Sequence, residues 1–213
     1  MKTTLSLSAM AATLLLFSTA SQAQLHTVKS GLIRYDSNSK TSGIQGIGVP
    51  AGADAQVGDA STLMVSFERA LTPQLGVEVV LGIPPRIKAR ATGTVAFLGD
   101  DVLSAKNVGP TVLLNYHFGQ AKDTWRPYVG LGVNYTRFAS AESKLAPQVQ
   151  MSDSVGLAFV GGVDYAINRQ WGLYASVSAV DVRSNLVGVA NTVLTTTINF
   201  RPVVYAVGAS FKF

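Results

Sequence analysis

Glu68, Glu78, Asp164 and Lys212 are conspicuous for their neighbours. Each lies in a run whose alternate residues are apolar, and each falls on the other phase. Gathered on one side of such runs, three carboxylates and an ammonium could form a salt-bridged plug. They could also act directly on a passing solute. The parity favours the plug, because an exposed charge on a lipid-facing phase would cost about 2–4 kcal/mol for Lys or Arg at mid-membrane, and less for acids. Met64, Val80, Leu113, Val160 and Tyr174 share that inward phase, and either line an apolar passage or simply pack a narrow interior.

Little other chemistry is available. The chain has no cysteine, which excludes thiol catalysis, disulfide scaffolds and cysteine metal motifs. His26 and His117 are the only histidines, and they do not stand at a zinc-ligand spacing. A Ser-His-Asp site needs a buried, oriented histidine. His117 lies near a turn with only Asp123 loosely nearby, and reads as a hydrogen bonder of an interior or interface. Asp100-Asp101 could help hold a divalent cation, but a solvated loop pair is the ordinary alternative. Gly46-Ile47-Gly48 lacks the strand-to-helix setting and the Lys-Ser/Thr of a phosphate loop. No catalytic residue, metal or cofactor is expected, and the chain does not read as an enzyme.

The elements that must position these side chains alternate with period two. In Leu75 to Ile83, Leu75, Val77, Val79, Leu81 and Ile83 share one face, with Glu78 and Val80 on the other. Ser61 to Arg69 precedes it across the turn Thr72-Pro73-Gln74 and forms a hairpin with it. Val108 to Phe118 and Trp125 to Phe138 form a second hairpin, Ser154 to Ile167 and Trp171 to Val182 a third. The last strand runs to Phe213, and a first, poorly patterned one lies within Leu25 to Tyr35. Eight strands predict an all-β fold, the eight-stranded antiparallel up-and-down transmembrane β-barrel. Short turns alternate with long connections over Asp36 to Asp59, Pro84 to Asn107, Ala139 to Asp153 and Arg183 to Thr196, as expected of periplasmic and outer sides. Thr41 to Gly58 reads as a mobile outer loop.

Residues 1–23 read as a signal peptide: Lys2, an apolar run around Leu14 to Phe17, then Ser21-Gln22-Ala23 at the cleavage site. A retained anchor would need about 20 apolar residues, more than this run has. The barrel would then occupy 24–213, in the outer membrane of a Gram-negative bacterium. Charged residues make up 14% of the chain, against about 25% in soluble domains. A soluble lipocalin-like barrel would expose its second face to water, and a surface so poor in charge would aggregate. The net charge of +5 is spread out, with no cluster that suggests nucleic acid. Aromatic residues at strand ends suit interfacial girdles. Arg201 shares the lipid-facing phase of Val203 but lies too far from Phe213 to be within the span, so it is expected at or above the outer interface, facing lipid phosphate.

Pro84-Pro85-Arg86-Ile87-Lys88 with Arg90-Ala91-Thr92-Gly93, then Arg126-Pro127-Tyr128-Val129-Gly130-Leu131-Gly132-Val133-Asn134-Tyr135-Thr136, then Gly162-Val163-Asp164-Tyr165-Ala166-Ile167-Asn168-Arg169-Gln170-Trp171, and finally Phe213 resemble in order the OmpW family of small outer-membrane barrels. The resemblance implies a narrow lumen that admits small hydrophobic molecules and a route that leaves sideways through the wall into the membrane. It also implies that Phe213 is the mark read by the barrel-assembly machinery. Partners are then membrane lipid, small hydrophobic molecules and that machinery. A channel is the first reading, and the Pro84-Pro85 pair suits it, since proline breaks sheet ladders. A structural or receptor barrel acting through its outer loops is the alternative.

Overall fold

The computed structural model describes residues 26–189 and 193–213. The expected signal peptide at 1–23 lies outside the described residues. The described residues form fifteen strands: β1 (His26–Asp36), β2 (Lys40–Thr41), β3 (Ala53–Val57), β4 (Ala60–Ala70), β5 (Leu75–Gly82), β6 (Arg86–Gly93), β7 (Leu103–Val108), β8 (Thr111–His117), β9 (Trp125–Ser143), β10 (Gln148–Met151), β11 (Ser154–Ala166), β12 (Trp171–Val180), β13 (Arg183–Val189), β14 (Val193–Asn199) and β15 (Val203–Lys212).

Eight of these strands close on themselves, all antiparallel, in the order β1-β4-β5-β8-β9-β11-β12-β15 and back to β1. Alternation decides which face is which. Leu63, Val65, Phe67, Leu131, Val133, Leu157 and Val207 project from the outer surface. Ser66, Glu68, Asn115, Tyr128, Ala158 and Ser210 are buried inside. A soluble protein would not present so continuous an apolar exterior, whereas a transmembrane barrel requires one. Along β9 the apolar outer positions run from Trp125 to Tyr135, with exposed Arg137 next. Aromatic pairs mark the lower rim: Trp125–Tyr165 and Trp171–Phe211 lie 4.7 and 4.9 Å apart between ring centres.

The short turns are fixed by their own side chains. Thr72 Oγ1 accepts from the N–H of Gln74 and Leu75, and Asn168 Oδ1 from those of Gln170 and Trp171. The seam pairs β1 with β15 from Thr27–Lys212 to Asp36–Val203, and His26 and Phe213 exchange both backbone hydrogen bonds below it. Phe213 thus ends the closing strand against the first one, its ring 5.6 Å from that of His26.

The long outer connections depart from the expectation of loops. Pro84 to Asn107 contains β6 and most of β7, and Thr41 to Gly58 contains β3, which pairs with β6. Together with the upper half of β9 they carry the wall outward as a continuous sheet. A second sheet, β10-β13-β14-β2, rises from the opposite side. Val57, Ala89, Ala105, Phe138, Val182, Ile198 and Phe200 pack between these extensions as an apolar neck above the barrel.

Candidate functional site

The lumen has two storeys, set by what each strand points inward. In the lower one, Lys29 of β1 is 1% exposed, with Nζ 3.4 Å from a Glu68 carboxylate oxygen and 3.2 Å from one of Asp164. Nε2 of His117 lies 2.6 Å from Glu68, and Nδ1 lies 3.5 Å from Asp164. Glu78 accepts from Ser66 Oγ and, at 2.7 Å, from Asn115 Nδ2. The plug therefore pairs each buried carboxylate with a cation or polar hydrogens, the condition under which buried charge is tolerated.

Of the four charges expected here, Glu68, Glu78 and Asp164 come together. Lys212 makes no ion pair among the described residues. It is half-buried on the wall of the periplasmic vestibule below, a cavity of about 730 Å³ that Arg126, Arg169 and Lys122 also line. The central cation is Lys29, which the sequence pattern did not single out; Ser66, Asn115 and Tyr128 have inward parity but were not expected in the charge cluster. The signal was one of charge balance: three inward acids spread over β4, β5 and β11 call for a cation at the same depth, and Lys29 has inward parity with Ile33 and Tyr35.

Tyr128 and Tyr174 lie between the Lys29 ion network and the upper cavity, which Glu78 also lines. The Lys29 ammonium lies 4.4 Å from the Tyr128 ring centre and 5.7 Å from that of Tyr174, within cation–π range. The same residues floor the upper cavity. Met64, Val80, Leu113, Val160 and Tyr174, the inward apolar set, are all on the walls of this one cavity of about 110 Å³. That is somewhat less than the roughly 150 Å³ apolar cavity that takes up benzene. Ile33, Val204 and Ala206 add apolar wall, while Asn134, Thr136 and Ser176 add hydroxyl and amide groups.

The cavity also touches Gly82, Ile83, Pro85, Asn107 and Gly109, where the wall is weakest. On the β4 side, Ile83 N–H donates to Leu63 O and Gly58 N–H to Lys88 O, and no backbone bond joins the walls between these two. On the β8 side, ladder pairing stops at Val80–Thr111 and resumes with Asn107 N–H donating to Pro85 O. Between the Val80–Thr111 and Arg86–Lys106 pairs the proline strand carries one residue more than its neighbour. The outward phase accordingly switches from Leu81 and Ile83 below to Arg86, Lys88 and Arg90 above. Two successive residues without N–H donors account for the break.

Elsewhere, Asp101 of the acidic loop pair is held 2.9 Å from Lys88, whose ammonium keeps its carboxyl below the usual range. His26 stacks on Phe67 at the lower rim. Arg201 is exposed in the connection just before β15, with a left-handed backbone at φ 39°.

The OmpW family model matches residues 23–213. The chain belongs to the OmpW family. Outer membrane protein W of Vibrio cholerae is 28% identical over 76% of this chain and 77% of its own. The dibenzothiophene metabolism operon protein PahQ of Pseudomonas aeruginosa is 31% identical over 65% and 64%. The crystal structure of OprG from Pseudomonas aeruginosa superposes with a TM-score of 0.83 at 25% identity, covering 90% of this chain and 96% of that one. Membership places the barrel in the outer membrane of a Gram-negative cell.

Proposed function

We propose that the barrel passes small hydrophobic molecules through the apolar neck into the upper cavity and releases them sideways into the membrane at Ile83-Pro84-Pro85. The observation that carries this reading is the contrast between two exits from one cavity. Downward, the path meets Tyr128, Tyr174 and a buried ion network. Sideways, it meets a wall segment with a broken ladder, held at its ends by Ile83 N–H on Leu63 O, Asn107 N–H on Pro85 O and the Thr62 hydroxyl on Ile83 O, and flanked by the lipid-facing Leu81 and Ile83. An apolar solute gains nothing from a charged, desolvated plug and loses nothing on entering lipid. A family member whose name ties it to dibenzothiophene metabolism supports a hydrophobic cargo. The reading involves no catalysis and no cofactor, and Phe213 keeps its proposed role as the mark for barrel assembly.

Uptake into liposomes carrying the refolded barrel tests it. A hydrophobic fluorescent probe is expected to enter faster than into empty vesicles, and a polar sugar is not. If neither gains, the channel reading fails and a receptor acting through the outer sheets takes its place. The double variant Pro84→Val/Pro85→Val restores two ladder donors in a β-favouring residue. It is expected to slow probe uptake by roughly tenfold while folding normally, since the ladder then closes across the gap. Unchanged uptake would move the exit elsewhere.

A further inference from the structure

The outer surface just above the apolar band carries a row of cations across three adjacent strands. Arg86 on β6 is directly paired with Lys106 on β7, and both side chains are exposed on the same outer face. Arg137 on β9 is paired with Val108, two residues below Lys106 on that face. Like charges directly opposite in an antiparallel pair destabilise it. The acids do not resolve the conflict. Glu142 reaches only Arg86, at 3.4 Å, and Asp153 accepts from the Tyr135 hydroxyl. Neither Lys106 nor Arg137 makes an ion pair among the described residues.

The cations higher on the same sheet behave differently. Lys88 pairs with Asp101, Arg90 donates twice to Gln56, and Lys144 donates to the Asp100 carbonyl. Of these cations, only Lys106 and Arg137, next to lipid, have neither an ion pair nor a side-chain hydrogen bond among the described residues. Below it on the same face come exposed Ile83, Val108 and Tyr135, the upper edge of the apolar band. The row thus stands at the height of lipid headgroups, where the available anion is a phosphate.

We propose that Arg86, Lys106 and Arg137 form a docking site for the phosphorylated headgroup of an outer-leaflet lipid. A phosphate set over Lys106 and Arg137 accepts from a planar guanidinium fork and a mobile ammonium at once. It also removes the repulsion between Arg86 and Lys106, and the lipid chains lie against Val108 and Tyr135. The site depends on the barrel's place in the membrane and not on its transport reading.

The test uses the full refolded barrel in detergent, with bisphosphorylated lipid A, the same lipid stripped of phosphate, and inorganic phosphate as probes. Lipid A is expected to raise the unfolding temperature of the parent protein, and the other two probes at equal concentration are not. Lys106→Gln/Arg137→Gln is expected to weaken lipid A binding by tenfold or more, given the strength of charge-assisted phosphate bonds. Lys122→Gln, in a turn on the opposite side of the membrane, is expected to leave it unchanged. Lys106→Gln alone gives an intermediate loss and serves if the double variant does not fold. Equal binding by the Gln variants, or equal stabilisation by the stripped lipid, overturns the site. Equal stabilisation by inorganic phosphate overturns the lipid as its occupant.

Discussion

Lys29→Met is expected to cost the barrel about 3–5 kcal/mol, the range for breaking a buried ion pair by removing one partner. The substitution preserves bulk and removes only the charge. It leaves Glu68 and Asp164, both buried, facing each other across His117 without the ammonium that lies between them. Tyr128 and Tyr174 present ring faces that suit a cation, so they do not compensate. Urea unfolding in lipid vesicles measures the loss. The triple variant Lys29→Met/Glu68→Gln/Asp164→Asn separates an unpaired charge from lost packing. With Lys29 and its two ion-paired acids neutralised, and Glu78 still held by Ser66 and Asn115, it should recover more than half of the single variant's loss, because neutral replacement of a buried ion set is often nearly cost-free. If the triple variant is as unstable as the single one, the network's value lies in its shape and not in its charge balance.

That network also shows what the sequence made legible. Parity alone assigned Glu68, Glu78 and Asp164 to the interior, because a period of two leaves only two faces and one must meet lipid. Parity gives no depth, however. Lys212 has the right phase but lies too near the strand end, whereas Lys29, deeper in β1, occupies the centre. β1 was hard to read because its outer phase mixes Ser30 and Arg34 with Val28 and Leu32, so the lipid signal is diluted. The outer strands were missed for a related reason. Arg86-Ile87-Lys88-Ala89-Arg90-Ala91 alternates cleanly, but its outward phase is charged and its inward phase is mostly alanine. That is the pattern of a strand above the membrane with water outside, and a search for lipid-facing alternation passes over it. The proline pair concealed it further by switching the phase between β5 and β6. The weak wall could be anticipated from those prolines. That it adjoins the apolar cavity could not, since this depends on the pairing of distant strands.

Gly208→Val is expected to prevent closure of the barrel, where Gly161→Val leaves it intact. Both positions are glycines in strands, with none of the left-handed backbone that would itself demand glycine, so the difference is one of space. Gly208 pairs with Gly31 across the β1–β15 seam and with Tyr174 on its other side. A Cβ at Gly208 would lie 2.1 Å from the Ser30 carbonyl oxygen and 2.6 Å from the Gly31 Cα, both backbone atoms that cannot rotate away. At Gly31 it would lie 2.1 Å from the Val207 carbonyl oxygen and 2.7 Å from the Tyr174 hydroxyl. The facing glycines let the two strands approach and leave a slot for Tyr174, the floor of the upper cavity. A valine at 208 must push the seam apart, at about 3 kcal/mol, the top of the usual range for overpacking. The seam joins the first strand to the last, so its loss opens the whole wall and strands the unpaired edges in lipid, where each unmet backbone group costs several kcal/mol more. Gly161 points outward from β11, and its added Cβ meets nothing within 4 Å. Heat-modifiable gel migration reads the outcome directly: the fast-migrating folded band should vanish for Gly208→Val and persist for Gly161→Val. A folded band of equal intensity in both would mean that the seam has room the glycines do not supply, and that Tyr174 is held by something other than the slot beneath it.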